Sequence, residues 1–419
     1  MAKVLTLSDV NLAGKTVLLR VDINSPMDPR TKEFLDFTRI KAIIPTLNKL
    51  RSSKVVVLAH QSRPGKDDFT STLVHARELG RLIGRKVKWV NDIHGEKAMN
   101  AIEKLIDGDI LMLNNIRMDE EERIKGDMNT LSETKLVQDL ASIADVYVND
   151  AFACAHRASA SIIGFSKHIP CIAGLLMGKE LHHLDKALDQ PKRPCISILG
   201  GVKIDDSIQV AQHMLHNNIA DEIWATGGVA NVFLHANNID IGKENLEFLI
   251  TSAEGSWDYV VEIATSLMNN FSEKIRIPSD VALNIENNRI DVSIDELPLG
   301  APIHDLGIHS IKEISNTIKQ AGTVILNGPA GVFENNDFAL GTIEILNACA
   351  ESQAYTVMGG GHTATLVTKR KLHDKMSHVS TGGGACLDYI AGRPLPGVVG
   401  LETSAELFSF ELTNVKKIT

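Results

Sequence analysis

At 419 residues, and at about 150 residues per domain, the chain is long enough for two or three domains. Hydrophobic residues make up 44% and charged residues 23%, the composition of a soluble globular protein rather than a disordered one. With 43 Lys and Arg against 52 Asp and Glu the net charge is −9, and 5% of residues are aromatic, which argues against a phosphate-backbone surface or a base-stacking platform.

Taken in chain order, short apolar runs rich in β-branched residues alternate with helical patterns. Thr16–Val21, Val55–Ala59, Ile110–Leu113 and Val146–Val148 have the length of buried strands, and Thr38–Arg51 and Thr72–Ile83 carry apolar residues at three- and four-residue spacing. Gly178–Leu188 is predicted helical and serves as the connection before Gln190-Pro191-Lys192-Arg193-Pro194. Beyond it the alternation resumes with Ile196–Leu199, Ile223–Ala225, Val324–Leu326, Thr356–Met358 and His378–Ser380. Strands alternating with helices predict parallel sheets covered on both faces, and this many strands fit two open sheets better than one. The expected architecture is therefore α/β, with two open, Rossmann-like parallel-sheet domains.

The halves differ in chemistry. Eleven arginines precede residue 180 and five follow it. Adjacent glycines occur only in the second half: Gly200-Gly201, Gly227-Gly228, Gly359-Gly360-Gly361 and Gly382-Gly383-Gly384. Each follows a predicted strand and precedes a helical pattern, where backbone N–H groups and a helix N-terminus can approach a phosphate.

Ligands of open α/β sheets bind beyond the carboxyl ends of the strands. In the first half those ends carry Asp22 and Asn24, His60 and Arg63, Arg117, and His156 with Arg157; Arg39 joins from the start of the first helix. One such arginine is ordinarily a solvated charge. Recurrence at several strand ends instead points to a small polyanion held by guanidinium forks. In the second half, Lys203 after Gly200-Gly201 is a candidate phosphate contact, and Glu334 a candidate acceptor for ribose hydroxyls or else a solvated acid. Asp9 to Thr16 imitates a P-loop but starts with Asp and precedes a strand, so it is rejected. Gly359 to Ala364 satisfies GxGxxA without a following ribose-binding acid.

Six motifs in order resemble phosphoglycerate kinase, from about residue 15 to the C-terminus: Arg20-Val-Asp-Ile-Asn-Ser-Pro26, Asn149-Asp-Ala-Phe-Ala-Cys-Ala-His-Arg157, Leu199-Gly-Gly-Val-Lys-Ile-Asp-Asp206, Asn327-Gly-Pro-Ala-Gly-Val-Phe-Glu334, Gly359-Gly-Gly-His-Thr363 and Ser380-Thr-Gly-Gly-Gly-Ala385. The basic loop His60-Gln61-Ser62-Arg63-Pro-Gly is similar too, with Gln61-Ser62 where many members have a hydrophobic residue and glycine. The resemblance implies reversible phosphoryl transfer between 1,3-bisphosphoglycerate and ADP-Mg, giving 3-phosphoglycerate and ATP in glycolysis and gluconeogenesis. It implies an N-terminal 3-phosphoglycerate-binding domain (1–177), a nucleotide-binding domain (178–395), and a C-terminal segment (396–419) returning to the first, with a helical hinge and a ligand cleft between the domains. Carried over, Asp22, Ile23, Asn24, Arg39, His60, Gln61, Ser62, Arg63, Arg117 and Arg157 would hold the glycerate ligand, Arg39 nearest the transferring group. Lys203, Glu334, Gly360, Gly361, His362 and Thr363 would bind the nucleotide, with Arg39 and Lys203 catalytic and Mg²⁺ arriving with ATP or ADP.

Three positions depart from the common pattern: His362 where Asp is frequent, Leu326 where Trp is common, and Ser207 where many members have a second lysine. The first two look like the archaeal branch of the family. A neutral imidazole supplies no negative charge to a metal, so the sequence names no metal ligand. Cys154, Cys171, Cys195, Cys349 and Cys386 form no CxxC pair, and no apolar run reaches the roughly 20 residues that span a bilayer, so a cytoplasmic protein without nucleic acid or membrane partners is expected. A monomer is also expected, although nothing in the sequence fixes the oligomeric state. The rival readings are a dinucleotide-dependent oxidoreductase using the Gly359 turn and a nucleotide-binding scaffold without turnover.

Overall fold

The computed structural model describes residues 3–415, with side chains to residue 408. It divides into two compact units, one taking in the chain up to His182 and again from Pro394, the other spanning His183–Arg393.

In the first unit β1 (Thr16–Val21), β2 (Lys54–Leu58), β3 (Val87–Trp89), β4 (Ile110–Met112), β5 (Val146–Asp150) and β6 (Cys171–Ala173) form an all-parallel sheet in the order β3-β4-β2-β1-β5-β6. All six residues of β1, TVLLRV, are buried, as a central strand covered on both faces requires. Val17, Leu19 and Val21 share one face with Val55, Val57 and Val148 and pack on Ile40, Ile43, Leu47, Ala76 and Leu79 from the helices. The strand order reverses between β1 and β5, the place where an open sheet leaves a crevice at its carboxyl edge. The final helix, Pro396–Val415, lies on this unit: Gly397 N–H donates to Ala155 O at 2.8 Å, and Ser404 Oγ accepts from Cys171 N–H at 2.7 Å.

The second unit repeats the plan. β7 (Cys195–Leu199), β8 (Glu222–Ala225) and β9 (Ile275–Arg276) are followed by β10 (Asp280–Ile285), β11 (Asn288–Ser293) and β12 (Ile303–Leu306), then β13 (Thr323–Asn327), β14 (Tyr355–Gly359) and β15 (His378–Val379). Six of them form a parallel sheet, β15-β14-β13-β7-β8-β9, reversing between β7 and β13, while β11-β10-β12 form a small antiparallel sheet. The helix Leu175–Leu188 carries the chain from one unit to the other; Asp150 Oδ1 accepts Leu176 and Met177 N–H at its start, at 2.8 and 3.2 Å. Among the described residues no helix is long and apolar enough to cross a membrane.

The parallel α/β reading and the nine predicted strands hold, within a few residues at their ends. Thr38–Arg51 is corrected: it is two short helices, Thr38–Ala42 and Ile44–Lys49, because Pro45 has no N–H to continue the first and starts the second. The antiparallel sheet was not anticipated. Its β10–β11 hairpin turns on Glu286-Asn287, both at positive φ (51° and 64°), a conformation usually announced by glycine.

Candidate active site

The first half-site gathers at the carboxyl edge of the first sheet. β1 delivers Asp22 and Asn24, β2 delivers His60 to Arg63, the short turn Ile116–Met118 after β4 presents Arg117, and Arg157 follows the turn Phe152–Cys154 beyond β5. Asp22, buried, is ion-paired with Arg39 and accepts Asn24 N–H at 3.1 Å. Asn24 Oδ1 accepts Ser62 N–H at 2.8 Å, and Arg117 Nη1 donates to Ser62 O at 2.5 Å, so the β1 and β2 loops and Arg117 are tied together. Arg63 and Arg157 are exposed; Arg157 Nε donates to His156 Nε2 at 3.2 Å.

His60 sits at the centre, 2% exposed. Burial, and next the charges of Arg20, Arg117, Arg157 and Arg39, hold its imidazole well below the ordinary value. Arg20 Nη2 faces His60 Nδ1 at 3.3 Å, and a guanidinium can only donate, so Nδ1 accepts and the proton sits on Nε2. Arg20 is itself 1% exposed. Its Nε donates to Ser161 Oγ at 2.9 Å, and Ser161 Oγ donates to buried Glu122 at 2.7 Å. A cavity of about 270 Å³ lies among Arg20, Arg117, Glu122, Cys154 and Arg157.

The second half-site lies at the corresponding edge of the second sheet. Here part of the glycine reading is corrected: Gly200, Gly201 and Gly228 N–H are consumed within the protein, by Asn327 O, Pro329 O and Gly201 O at 2.8, 2.8 and 3.1 Å. Those glycines let three loops interlock; a Cβ on Gly200 would meet Pro329 O and Thr226 Oγ1 at 2.4 Å. The free donors are elsewhere. The helix Gly361–Lys369 opens after β14 with, among the described residues, no protein acceptor for Gly361, His362 or Thr363 N–H and no partner for the fully buried Thr363 Oγ1. Lys203, the N-cap of the helix Ile204–His216, is exposed and forms no ion pair among the described residues. Glu334 and His362 are exposed at a cavity of about 380 Å³ that also reaches Gly201, Gly227, Gly228 and Val332.

Two parallel-sheet units, one presenting arginines and the other helix-terminal N–H groups, are what the comparisons with known proteins match. The sequence model described as Phosphoglycerate kinase matches residues 7–393. The chain is 46% identical over 401 residues to the phosphoglycerate kinase of Methanosarcina mazei, covering 96% of this chain and 95% of that protein. It is 45% identical over 401 residues to that of Methanothermobacter thermautotrophicus, covering 95% and 97%. The crystal structure of phosphoglycerate kinase from Pyrococcus horikoshii OT3 superposes with a TM-score of 0.87 at 37% identity, over 96% of this chain and 99% of that one. The chain belongs to the phosphoglycerate kinase family. As a phosphoglycerate kinase family member it is a phosphotransferase acting through ATP or ADP, and its relatives at 39–46% identity are archaeal.

Within this family member the sequence-predicted positions fall into two groups. Asp22, Asn24, His60, Ser62, Arg63, Arg117 and Arg157 follow neighbouring strand ends of one sheet, and Arg39, in the helix Thr38–Ala42, joins them through its ion pair with Asp22. Ile23 and Gln61 are fully buried. Gln61 Nε2 donates to Ser25 O at 3.1 Å and its Oε1 accepts from His75 Nε2 at 3.0 Å, so its side chain braces the loop rather than facing a ligand. Arg20 was missed as a site residue, although a lone charge in TVLLRV is a readable signal.

Proposed function

We propose that this chain catalyses reversible transfer of the acyl phosphate of 1,3-bisphosphoglycerate to ADP-Mg, giving 3-phosphoglycerate and ATP. The observation that carries the reading is the gathering of Arg20, Arg117 and Arg157 around one strand-end cavity, with Arg20 against His60 and Arg39 paired to Asp22 beside it, a setting for a small phosphorylated carboxylate. In the ATP-consuming direction the nucleophile is a carboxylate, ionised at neutral pH, so no general base is needed. The work left to the protein is orientation and charge stabilisation.

Arg39, half-exposed beside Asp22, neutralises the equatorial oxygens of the transferring phosphoryl group; His60 stays neutral and donates through Nε2–H. Asn24, Arg63, Arg117 and Arg157 fix the ligand's phosphate and carboxylate. On the second unit Lys203 and the N–H groups of Gly361 to Thr363 hold the nucleotide phosphates, and Glu334 accepts from the ribose. Magnesium would arrive with the nucleotide, held by its phosphates; Gly360 to Thr363 offer it no carboxylate. Bound there, it would supply positive charge against the developing phosphate charge. Hinge-bending about the helix Leu175–Leu188 accompanies transfer, and the enzyme works as a cytoplasmic monomer.

A coupled assay of ADP formation that requires ATP, Mg²⁺ and 3-phosphoglycerate tests the assignment. Activity in wild type that collapses in Lys203→Ala, with unchanged thermal unfolding, supports it. Near-normal turnover in that variant removes Lys203 from the mechanism, and silence of the wild type with intact ATP binding returns the scaffold reading.

A further inference from the structure

The nucleotide cavity contains a buried amide that the protein leaves unused. On the helix Gly227–Ala236, Gly227, Gly228 and Asn231 stand three and four residues apart, so they share a face, and all three line the 380 Å³ cavity. Asn231 is 5% exposed, yet among the described residues its buried Oδ1 has no hydrogen-bond partner and its Nδ2 forms no hydrogen bond. Asn245, lining the same cavity and equally buried, is its control. Its Nδ2 donates to Ile241 O and Ala301 O at 2.8 and 3.1 Å, and its Oδ1 accepts Ile303 N–H at 2.8 Å. Buried Asp305 is likewise satisfied, by Arg289 and by Gly341 and Leu306 N–H. A buried carboxamide without partners costs stability unless a ligand completes it.

Resting on the nucleotide reading of this cavity, we propose that Asn231 reads the 6-position of the purine base. A planar carboxamide matches a purine edge that offers one donor and one acceptor. Because no protein group fastens its oxygen or its nitrogen, either end can turn to the base. A 6-amino purine donates to Oδ1 and a 6-oxo purine accepts from Nδ2. Asn231 therefore admits both and selects against a purine with no polar group at that position, whose binding would leave the amide buried and unpaired.

The test compares kcat/KM for ATP, inosine triphosphate and purine riboside triphosphate, which bear an amino group, an oxo group and hydrogen at position 6. In the wild type the first two should agree within about 3-fold and both exceed the third by about 10-fold or more, the scale of one base-edge pairing. Asn231→Leu should level all three to within about 3-fold and raise the melting temperature of the ligand-free protein. A wild type that does not discriminate against the unsubstituted purine, one that separates amino from oxo by 10-fold, or an Asn231→Leu enzyme that keeps the wild-type ratios overturns the proposal. Val332→Trp, which fills the same cavity from an exposed position, separates this from the parent reading. If that folded variant binds ATP normally by calorimetry, the cavity is not the nucleotide site. If it loses ATP while Asn231→Leu keeps the wild-type ratios, only the role of Asn231 fails.

Discussion

Arg39 and Asp22 show how one ion pair serves folding and catalysis unequally. The Asp22 side chain is 6% exposed and that of Arg39 is 37% exposed, so the acid is the partner that needs the pair. Arg39→Ala should cost about 1–3 kcal/mol by leaving a buried carboxylate unpaired, and should lower kcat by about 100-fold or more. Adding Asp22→Asn should recover most of the stability and none of the turnover, read by urea unfolding beside the coupled assay. Arg20 behaves differently. Its charge is the largest acting on His60, so Arg20→Met should raise the His60 pKa, measurable from ring-proton NMR shifts, and destabilise the fold by about 2–4 kcal/mol, because buried Glu122 loses the guanidinium charge near it and Ser161 Oγ loses a donor. The arginines were legible as residue types at strand ends. The contrast between Arg20 as a buried brace and Arg63 as an exposed contact was not, because it depends on which face of β1 or which loop surface each side chain meets.

At the scale of elements, the glycine doublets divide by task. Gly200, Gly228 and Gly328 allow the loops after β7, β8 and β13 to touch backbone to backbone; a Cβ on Gly328 would meet Gly200 O at 2.3 Å. Gly200→Ala should therefore lower stability by at least about 2 kcal/mol, seen as a drop in melting temperature, since Pro329 O, one of the two atoms the new Cβ would meet, is backbone and cannot swing aside. A Cβ on Gly361 would meet nothing within 4 Å, so Gly361→Ala should leave the melting temperature within about 2 °C of wild type. The sequence pattern, strand then glycines then helix, is the same in both cases. What differs is the neighbouring loop, which for Gly200 and Gly328 comes from more than 100 residues away in the chain and for Gly228 from the loop of Gly201 on the preceding strand, and no local signal carries that. Short edge strands escaped for a related reason: β3, β6 and β9 have three, three and two residues, too few for a periodicity, and form because the sheet edge beside them offers unpaired groups.

The whole molecule's response to pH is set by buried groups with opposed slopes. Burial lowers the His75 imidazole from 6.5 to about 3. Below pH 6.5 the unfolded chain takes a proton that the folded chain refuses, so stability falls as pH falls, by about 1.4 kcal/mol per unit. His60, lowered mainly by burial, acts in the same direction. Burial raises Asp150 from 3.8 to about 6, so its contribution is fullest below pH 3.8 and is lost as pH rises through 6, with a slope of similar size and opposite sign. Asp139 and Asp119, bonded to both nitrogens of His94, outweigh its burial and raise it; that contribution is present below 6.5 and lost as pH rises through its raised value. Between about pH 4 and 6 His75 and Asp150 oppose one another. Asp150→Asn should therefore steepen the loss of stability on acidification, and His75→Gln should flatten it, in denaturant titrations at unit pH intervals. Equal pH profiles for both variants and wild type would refute this balance.

Taken by itself, the sequence determined the alternation of strands and helices, hence the parallel α/β class, and the placing of arginines in one half and glycine turns in the other. These are properties of local pattern: the periodicity of apolar residues and the chemistry of residue types near strand ends. Only the tertiary structure decided that Gln61 turns inward, that Gly200 and Gly228 serve loop packing rather than phosphate, and that Arg20 fixes the tautomer of His60. It also decided that Asn231 is buried without a partner while Asn245, of the same residue type, is satisfied. Each of those outcomes depends on atoms that chain topology brings together from distant segments, and hydrogen-bond satisfaction is a property of that meeting rather than of any one stretch of chain.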